Sequence, residues 1–332
     1  MDGCFDMMHF GHANAFRQAR ELGDYLIVGV HNDAEVIANK GQPLMNEYER
    51  YTAVRSCQWV DEVVENAPYV TSLKLIEQYG CSICVHGDDE ILLPDGSDPY
   101  WEIKQAGRYR VIPRTQGIST TQLISRILKH LNRHSISSVE WYDAVSPYTG
   151  RGPFLPTVQK LVLFAGKRGP RPLHGRTVFI DGSFDLFHLG HCEILKAAKM
   201  RGDYLVVGVW SDQNVTDEKG RPPIMNIYER VFSVLSCRYV NDIIIGSPLI
   251  ITEDLLRSNN VTRVVVGTVQ DRHIKKSSNS VRYNLPKSMG IFEEISSPSS
   301  ITASDIIDRV TQNQETFQER NTKKEFREVK VL

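Results

Sequence analysis

The same motif, Asp-Gly-x-Phe-Asp-x-x-His-x-Gly-His, occurs twice in this chain, at residues 2–12 and again at residues 181–191. A long pattern that returns at such a distance indicates two copies of one domain. The 332 residues suffice for two domains of roughly 130 to 150 residues with a connector between them. Whatever fold one repeat adopts, the chain must therefore build it twice.

The segments after each motif predict the same order of elements. A helical stretch at 13–22 and 192–200 precedes an apolar strand at 25–30 and 204–209, and a further buried strand follows at 83–86 and 263–266. Short apolar strands that alternate with helices are typical of an α/β fold with a parallel sheet flanked by helices. In such sheets ligands bind at the carboxyl ends of the strands, where both motifs lie.

The two repeats differ in what precedes the motif. In repeat 2 an apolar run at 177–180 predicts a central first strand, whereas repeat 1 has only Met1 there. Loss of a central strand would leave backbone groups of both neighbouring strands without partners. We therefore expect the first strand of repeat 1 to be truncated and the natural sequence to extend upstream of Met1.

Composition sets the domain boundaries and excludes several classes of protein. We expect domain 1 at 1–131, a proline-containing linker at 132–175, domain 2 at 176–312 and a polar tail at 313–332. The apolar patch at 158–164 should dock on a domain. A net charge of −1 gives no indication of a nucleic-acid partner. Without an apolar run of about 18 residues or a signal peptide, we expect a cytoplasmic protein with at most peripheral membrane association.

The six cysteines predict neither disulfides nor a metal centre. Cys57 and Cys237 occupy equivalent places in the two repeats, as buried reduced thiols would. Cys81 and Cys84 have the spacing of a zinc knuckle, but no second pair completes four ligands. A buried strand is the simpler interpretation.

The two histidines of the motif are the strongest candidates for chemistry. His9 and His12 are three residues apart, so they share one face at a helix N-terminus, where imidazole and backbone N–H groups can converge on phosphate oxygens. Gly11 leaves room for a ribose or base. A structural role is the ordinary alternative, but the pair recurs intact in repeat 2 as His188 and His191. Nucleotidyl transfer needs alignment and charge stabilisation, which two such donors can supply.

A second segment, Arg-Thr-Gln-Gly-Ile-Ser-Thr-Thr at 114–121, precedes a predicted helix at 122–131. It offers a guanidinium group, hydroxyls and a helix start to the same polyanion. The segment could instead be an ordinary Ser/Thr helix cap. Capping needs neither Arg114 nor Gly117, which favours the functional interpretation.

Together, the His-x-Gly-His motif, Lys40-Gly41, the run 59–63 and the segment 114–121 resemble the cytidylyltransferase family over nearly the whole chain. The resemblance implies two tandem Rossmann-like nucleotidyltransferase domains. It also implies transfer of a cytidylyl group from CTP, with Mg²⁺, to a small phosphomonoester, giving a CDP-alcohol and pyrophosphate. The duplication and the absence of an evident long lipid-sensing helix favour phosphoethanolamine as the acceptor, in phosphatidylethanolamine synthesis. Choline phosphate and glycerol phosphate are the alternative acceptors, and an adenylyltransferase is disfavoured.

The resemblance also implies roles for residues of repeat 1. The predicted catalytic residues are His9, His12, Lys40 and Arg114; the predicted nucleotide-binding residues are Cys4, Phe5, Gly11, Asp88, Asp89, Thr115, Ser119 and Thr120. For Lys40 a solvated loop lysine is an equal alternative. Asp88 and Asp89 could meet an ammonium group, a ribose or Mg²⁺, or form a solvated turn. A homodimer is left open.

Repeat 2 keeps part of this set. The predicted nucleotide-binding residues there are Ser183, Phe184, His188, Gly190, His191, Lys219, Thr302 and Ser304. However, Arg114 aligns with Ser297, and the Gly-Asp-Asp turn becomes Gly-Thr-Val at 267–269. We infer that repeat 1 catalyses while repeat 2 binds nucleotide weakly or serves as a scaffold. A non-catalytic nucleotide-binding regulatory protein is the rival hypothesis.

Overall fold

The structure is a computed structural model that describes residues 1–89, 91–93, 95–132, 154–166, 171–172, 174–274 and 281–317. The chain divides into two compact units. The first, domain 1, joins Met1–Gln122 with the described C-terminal residues 314–317, and the second, domain 2, lies within Leu123–Asn313. Most of the predicted linker and the tail beyond residue 317 lie outside the described residues.

Domain 1 alternates strands and helices in the predicted order. Its strands are β1 (Asp2–Gly3), β2 (Ile27–Val30), β3 (Glu62–Glu65), β4 (Cys84–Gly87) and β5 (Tyr109–Ile112). Its helices are α1 (Phe10–Glu21), α2 (Asp33–Lys40), α3 (Glu47–Arg55), α4 (Leu73–Gln78), α5 (Trp101–Gln105) and the start of α6 (Thr120–Asn132). Every strand pairing is parallel.

Domain 2 repeats this order after one extra helix, α7 (Phe154–Ala165). Its strands are β6 (Thr177–Gly182), β7 (Tyr204–Trp210), β8 (Asp242–Ser247), β9 (Val261–Gly267) and β10 (Phe292–Ile295). Its remaining helices are α8 (Leu189–Lys199), α9 (Asp212–Lys219), α10 (Ile227–Ser236), α11 (Glu253–Ser258), α12 (Asn284–Ser288) and α13 (Ala303–Gln312). The five strands form one parallel sheet in the order β10-β9-β6-β7-β8. The predicted α/β architecture of two tandem domains is confirmed.

The sheets of the two domains differ at the first strand. In domain 2, β6 pairs with β9 through Thr177, Val178 and Phe179, which precede the motif. In domain 1, β1 has only Asp2 and Gly3, which pair with β2. Among the described residues, β1–β3 therefore form one sheet, and β4 and β5 form a separate pair. The register of β1 on β2 matches that of β6 on β7, so the motif leaves the sheet at the same place in both domains.

Helix α7 shows what the apolar patch in the predicted linker does. Phe164 is 1% exposed, and its ring lies 4.9 Å from that of Phe232 in α10. A buried aromatic pair of this kind anchors a helix through area burial and ring contact. The helix thus docks on domain 2 through Phe164, whereas Val158, Val162 and Leu163 of the same patch are exposed.

All six cysteines are free thiols, and five of them are buried. Cys84 lies in β4, as the strand interpretation predicts, and the described residues contain no group of three His, Cys, Asp or Glu side chains arranged to hold a metal. Within the same residues, no helix is both long and apolar enough to cross a membrane.

Candidate active site

The motif forms a strained loop between the first strand and first helix of each domain. Phe5 and Met7 have φ angles of 52° and 45°, and their counterparts Phe184 and Leu186 have 49° and 48°. Left-handed φ is uncommon for residues other than glycine and persists only where surrounding contacts impose it. The loop must therefore be held by its neighbours.

Two side chains hold this loop in domain 1. The carboxylate of Asp6 accepts hydrogen bonds from the backbone N–H groups of Leu44 (3.0 Å) and Met45 (2.9 Å). The guanidinium of Arg50, which is 1% exposed, donates to the carbonyl oxygens of Cys4 (2.9 Å) and His31 (2.7 Å). A buried charge with several acceptors fixes the segments around it. The sequence analysis missed Arg50, although an arginine recurs at the same place in repeat 2.

Domain 2 repeats this support. Asp185 accepts from the N–H groups of Ile224 (2.8 Å) and Met225 (2.9 Å), and the buried Arg230 donates to the carbonyl of Ser183 (2.6 Å). Because the same contacts recur, the motif has the same backbone in both domains. Differences between the two sites must therefore come from the side chains around them.

The paired histidines are oriented by the backbone of α1. His9 is the N-cap, and its Nδ1 accepts from the N–H of Gly11 at 3.1 Å, while Nδ1 of His12 accepts from the N–H of His9 at 3.4 Å. The two rings stack at 4.0 Å. Since each Nδ1 accepts a hydrogen, the neutral ring carries its proton on Nε2. Each histidine thus presents its Nε2–H as a donor at a helix N-terminus, where the backbone N–H groups also favour phosphate oxygens.

The corresponding pair in domain 2 has the same geometry. Nδ1 of His188 accepts from the N–H of Gly190 at 3.1 Å, and the rings of His188 and His191 stack at 3.8 Å. Burial lowers the pKa of His188 to about 3, and burial together with His188 lowers the pKa of His191 well below its usual range. Both rings are neutral near pH 7.

The second segment packs against the motif loop. The Oγ1 of Thr120 donates to the carbonyl of Asp6 at 3.0 Å, and Nδ2 of Asn14 donates to Oγ1 of Thr115 at 2.8 Å. Oγ of Ser119 accepts from the N–H of Gln122 at 3.1 Å, so this residue has the capping role that was the alternative for the segment. The structure thus brings the segment 114–121 and the histidine motif together at one site.

Arg114 and the acidic turn meet where β4 and β5 end. The N–H of Arg114 donates to Oδ1 of Asp88 at 3.1 Å. A Cβ atom on Gly87 would lie 2.7 Å from Oδ1 of Asp89 and 3.5 Å from Cγ of Arg114. The glycine therefore leaves the space into which the turn and the arginine fold. The side chains of Asp88, Asp89 and Arg114 are all exposed.

Asp2 lies at the centre of a buried polar cluster that the sequence alone does not predict. Oδ2 of Asp2 accepts from Oγ1 of Thr71 at 2.8 Å and from the hydroxyl of Tyr100 at 3.1 Å, whereas its buried Oδ1 has no hydrogen-bond partner among the described residues. A buried carboxylate oxygen without a donor is costly unless a ligand supplies one. The only sequence signal was the repeated Asp that opens the motif.

His31 and Tyr69 complete the cluster around Asp2. Nδ1 of His31 lies 3.0 Å from the carbonyl of Ala67, so it donates there, and Nε2 lies 4.0 Å from Oδ2 of Asp2. Burial lowers the pKa of His31, which keeps the ring neutral with a free lone pair on Nε2. The rings of His31 and Tyr69 are 4.9 Å apart, and Nζ of Lys40 lies 5.7 Å from the Tyr69 ring centre. Lys40 is thus next to this cluster.

Domain 2 has uncharged residues (Ser297, Thr268, Val269) at the positions of Arg114, Asp88 and Asp89. The N–H of Ser297 donates to Oγ1 of Thr268 at 3.0 Å, which places Ser297 where Arg114 lies in domain 1. Thr302 caps α13 together with Asp305. Lys219 and Ser304 both bond to the carboxylate of Asp271, the lysine at 2.9 Å. Three residues predicted to bind nucleotide (Lys219, Thr302, Ser304) therefore have partners within the chain.

Comparison with known proteins agrees with this geometry. The family model described as cytidylyltransferase-like matches residues 1–126 and 179–309. An ethanolamine-phosphate cytidylyltransferase of Dictyostelium discoideum is 46% identical, with 100% of this chain and 95% of the relative covered. One of Arabidopsis thaliana is 45% identical over 99% of this chain and 84% of the relative, and one of Mus musculus is 42% identical over 100% and 90%.

Relatives with a different name match less of the chain. Choline-phosphate cytidylyltransferase 2 of Arabidopsis thaliana is 37% identical, but the match covers 42% of this chain and 47% of the relative. The similarity to the ethanolamine-phosphate cytidylyltransferases thus spans both repeats, whereas the similarity to the choline-phosphate cytidylyltransferase covers about the length of one repeat.

Proposed function

The chain belongs to the ethanolamine-phosphate cytidylyltransferase family, and we propose that its first domain transfers the cytidylyl group of CTP to phosphoethanolamine, giving CDP-ethanolamine and pyrophosphate. The observation that carries the proposal is the position of the buried Asp2 carboxylate beside the residues expected to bind phosphate, which are His9, His12, Lys40 and Arg114. Phosphoethanolamine has both an ammonium and a phosphate group, so it needs both kinds of partner.

The phosphate-binding set of domain 1 suits nucleotidyl transfer. An oxygen of the substrate phosphate attacks the α-phosphorus of CTP, and the bond to the leaving pyrophosphate breaks. The Nε2–H donors of His9 and His12, at the N-terminus of α1, can stabilise the charge that develops on the phosphates. Arg114 would add positive charge at the phosphates of CTP, and Lys40 at a phosphate of CTP or of the substrate. No covalent step on the protein is required.

The Asp2 cluster suits a primary ammonium. An –NH₃⁺ group has three donors, and Oδ1 of Asp2 and Nε2 of His31 are acceptors that lack a close donor among the described residues. The Tyr69 ring, 4.9 Å from the ring of His31, adds an aromatic group that favours a cation nearby. A quaternary ammonium has no N–H group to donate, and glycerol phosphate has no cation. The cluster therefore favours phosphoethanolamine over choline phosphate and glycerol phosphate.

A magnesium ion would arrive with CTP and would not be held by the protein alone. The described residues offer no cluster of three ligands, and Mg²⁺ is commonly bound by one or two carboxylates plus substrate phosphates. Asp88 and Asp89, exposed on the turn after β4, fit the carboxylate part. When bound, the ion neutralises phosphate charge.

A pyrophosphate-release assay of the full chain tests the proposal. With Mg²⁺ and CTP, phosphoethanolamine should support turnover at a kcat/KM at least about tenfold above that of choline phosphate, as loss of hydrogen bonds to charged groups implies. ATP in place of CTP should be a poor donor. Turnover with none of the acceptors would favour a non-catalytic nucleotide-binding protein instead.

The two histidine motifs provide the matched control for which domain catalyses. His9→Ala should lower kcat about 100-fold or more, as removal of a donor to the transition state does. His188→Ala removes the equivalent ring in domain 2 and should leave kcat within a few-fold. The reverse pattern would place catalysis in domain 2.

A further inference from the structure

Domain 2 contains a pocket built on the same plan as the Asp2 cluster. The strand registers place Asp181 at the position of Asp2 and Trp210 at that of His31. Tyr283 corresponds to Tyr100, since each precedes a short helix and donates its hydroxyl to the aspartate at 3.1 Å. The pocket also has Lys219 in its wall, the counterpart of Lys40. Both ends of a phosphoalkylammonium substrate thus have counterpart positions here.

We call the place that corresponds to the substrate ammonium of domain 1 the cation position. In this pocket it is taken by Arg282, which is 3% exposed. Its guanidinium lies 4.3 Å from the ring centre of Trp210, within range of a cation–π contact, and pairs with the buried Glu218 at 3.1 Å. Oδ2 of Asp181 accepts from Nε1 of Trp210 at 2.8 Å, and Oδ1 accepts from Tyr283. Unlike Asp2, Asp181 has both carboxylate oxygens hydrogen-bonded. The positively charged guanidinium of Arg282 lies over the ring of Trp210.

The anion position, which is the place of a phosphate next to Lys219, is taken by Asp271. Its Oδ2 lies 2.9 Å from Nζ of Lys219, and both side chains are less than 10% exposed. Ser304 donates to its other oxygen. Although burial raises the pKa of Asp271, Lys219 and these hydrogen bonds lower it to about 2, so the carboxylate is charged at neutral pH. The lysine charge is neutralised within the chain.

We propose that Arg282 stands in for the ammonium of phosphoethanolamine and Asp271 for the nucleotide or substrate phosphate that Lys219 would otherwise bind, so that the chain itself closes the pocket of domain 2 to CTP and phosphoethanolamine. The two side chains and Lys219 line one pocket. The inference rests on the proposed function, since it takes the Asp2 cluster as the ammonium site of domain 1. Arg282 and Asp271 are then the residues that prevent domain 2 from binding the substrates that domain 1 binds.

The number of ligands bound per full chain tests this proposal by equilibrium dialysis. The wild-type chain should bind one CTP and one phosphoethanolamine. Asp271→Asn keeps the side-chain shape but removes the charge that neutralises Lys219, so affinity of domain 2 for CTP should rise at least about tenfold and a second CTP should bind. Two CTP on the wild type, or one CTP on a folded D271N chain, would overturn the proposal.

The cation position is tested separately. Glu218→Gln with Arg282→Ala empties the space over Trp210 without leaving a buried carboxylate uncompensated. Combined with D271N, these two substitutions should allow a second phosphoethanolamine to bind. A folded triple variant that still binds only one phosphoethanolamine would overturn the part of the proposal that concerns Arg282. If the triple variant does not fold, the CTP count of D271N still decides on the anion half. Failure of the proposed function looks different, because the wild type would then bind no phosphoethanolamine.

Discussion

Gly11 lies so close to Ile118 that a Cβ atom at position 11 would stand 2.9 Å from Cγ2 of Ile118. The same Cβ would lie 2.8 Å from two ring atoms of His9. The histidine motif and the segment 114–121 therefore fit together only because this position is glycine. Their contact couples the orientation of His9 to the segment that carries Arg114.

Gly11→Ala should therefore reduce turnover much more than stability. The new methyl group must push the His9 ring or Ile118 aside, and displacement of a positioned group by about 1 Å can cost about 100-fold in rate. We expect kcat to fall by about that factor in the pyrophosphate assay. Gly23→Ala is the matched control, since its Cβ would meet no atom within 4 Å and should change kcat little. Equal kcat values for the two variants would contradict this role of Gly11.

Asp2→Asn should raise KM for phosphoethanolamine and leave KM for CTP nearly unchanged. Asparagine can still accept from Thr71 and Tyr100, but it loses the charge that would meet the ammonium. A hydrogen bond to a charged group contributes about 1.5 to 3 kcal/mol, which corresponds to roughly 10- to 150-fold in KM.

Initial rates at varied acceptor and at varied CTP concentration separate the two effects. Asp181→Asn is the control for Asp2→Asn, because it makes the same change in the pocket of domain 2. That variant should retain the wild-type KM for both substrates. A rise in KM for CTP alone on Asp2→Asn would show that Asp2 serves the nucleotide instead.

The sequence predicts the repeated α/β plan because the motif and the apolar strands recur in order. It also predicts that the histidines and the segment 114–121 belong to one site, since both follow the ends of parallel strands. It does not predict the cluster around Asp2, because Asp2, His31 and Tyr100 come from separate elements and each looks like a core residue alone. Nor does it predict that Asp271 neutralises Lys219, because that pair depends on how the loop after β9 folds back.

Arg50 should be essential for the stability of domain 1. Arg50→Ala removes a buried guanidinium that bonds the carbonyls of Cys4, His31 and Met45 and pairs with Asp33. Loss of one member of a buried charged network costs about 3 to 5 kcal/mol in free energy of unfolding. Urea unfolding followed by circular dichroism measures the loss.

The control for Arg50→Ala lies on the same helix. Arg55 forms an ion pair with Glu65 in which the side chains are 47% and 50% exposed. Exposed pairs of this kind contribute at most about 1 kcal/mol, so Arg55→Ala should be nearly neutral. A similar loss for both variants would mean that the bonds of Arg50 do not hold the motif loop.

The buried histidines of domain 2 should make its stability depend on pH. The pKa of His188 is about 3 in the folded chain, and that of His191 is also far below the unfolded value of about 6.5. Between those values the unfolded chain binds protons that the folded chain does not, so the free energy of unfolding falls as pH drops below about 6.5. Each histidine adds up to about 1.4 kcal/mol per pH unit to this slope.

Urea unfolding between pH 5 and 7 should show the loss, and His191→Gln, which removes one of the two groups, should flatten the slope by up to that amount. An unchanged slope in His191→Gln would mean that His191 takes up its proton as easily in the folded chain as in the unfolded one.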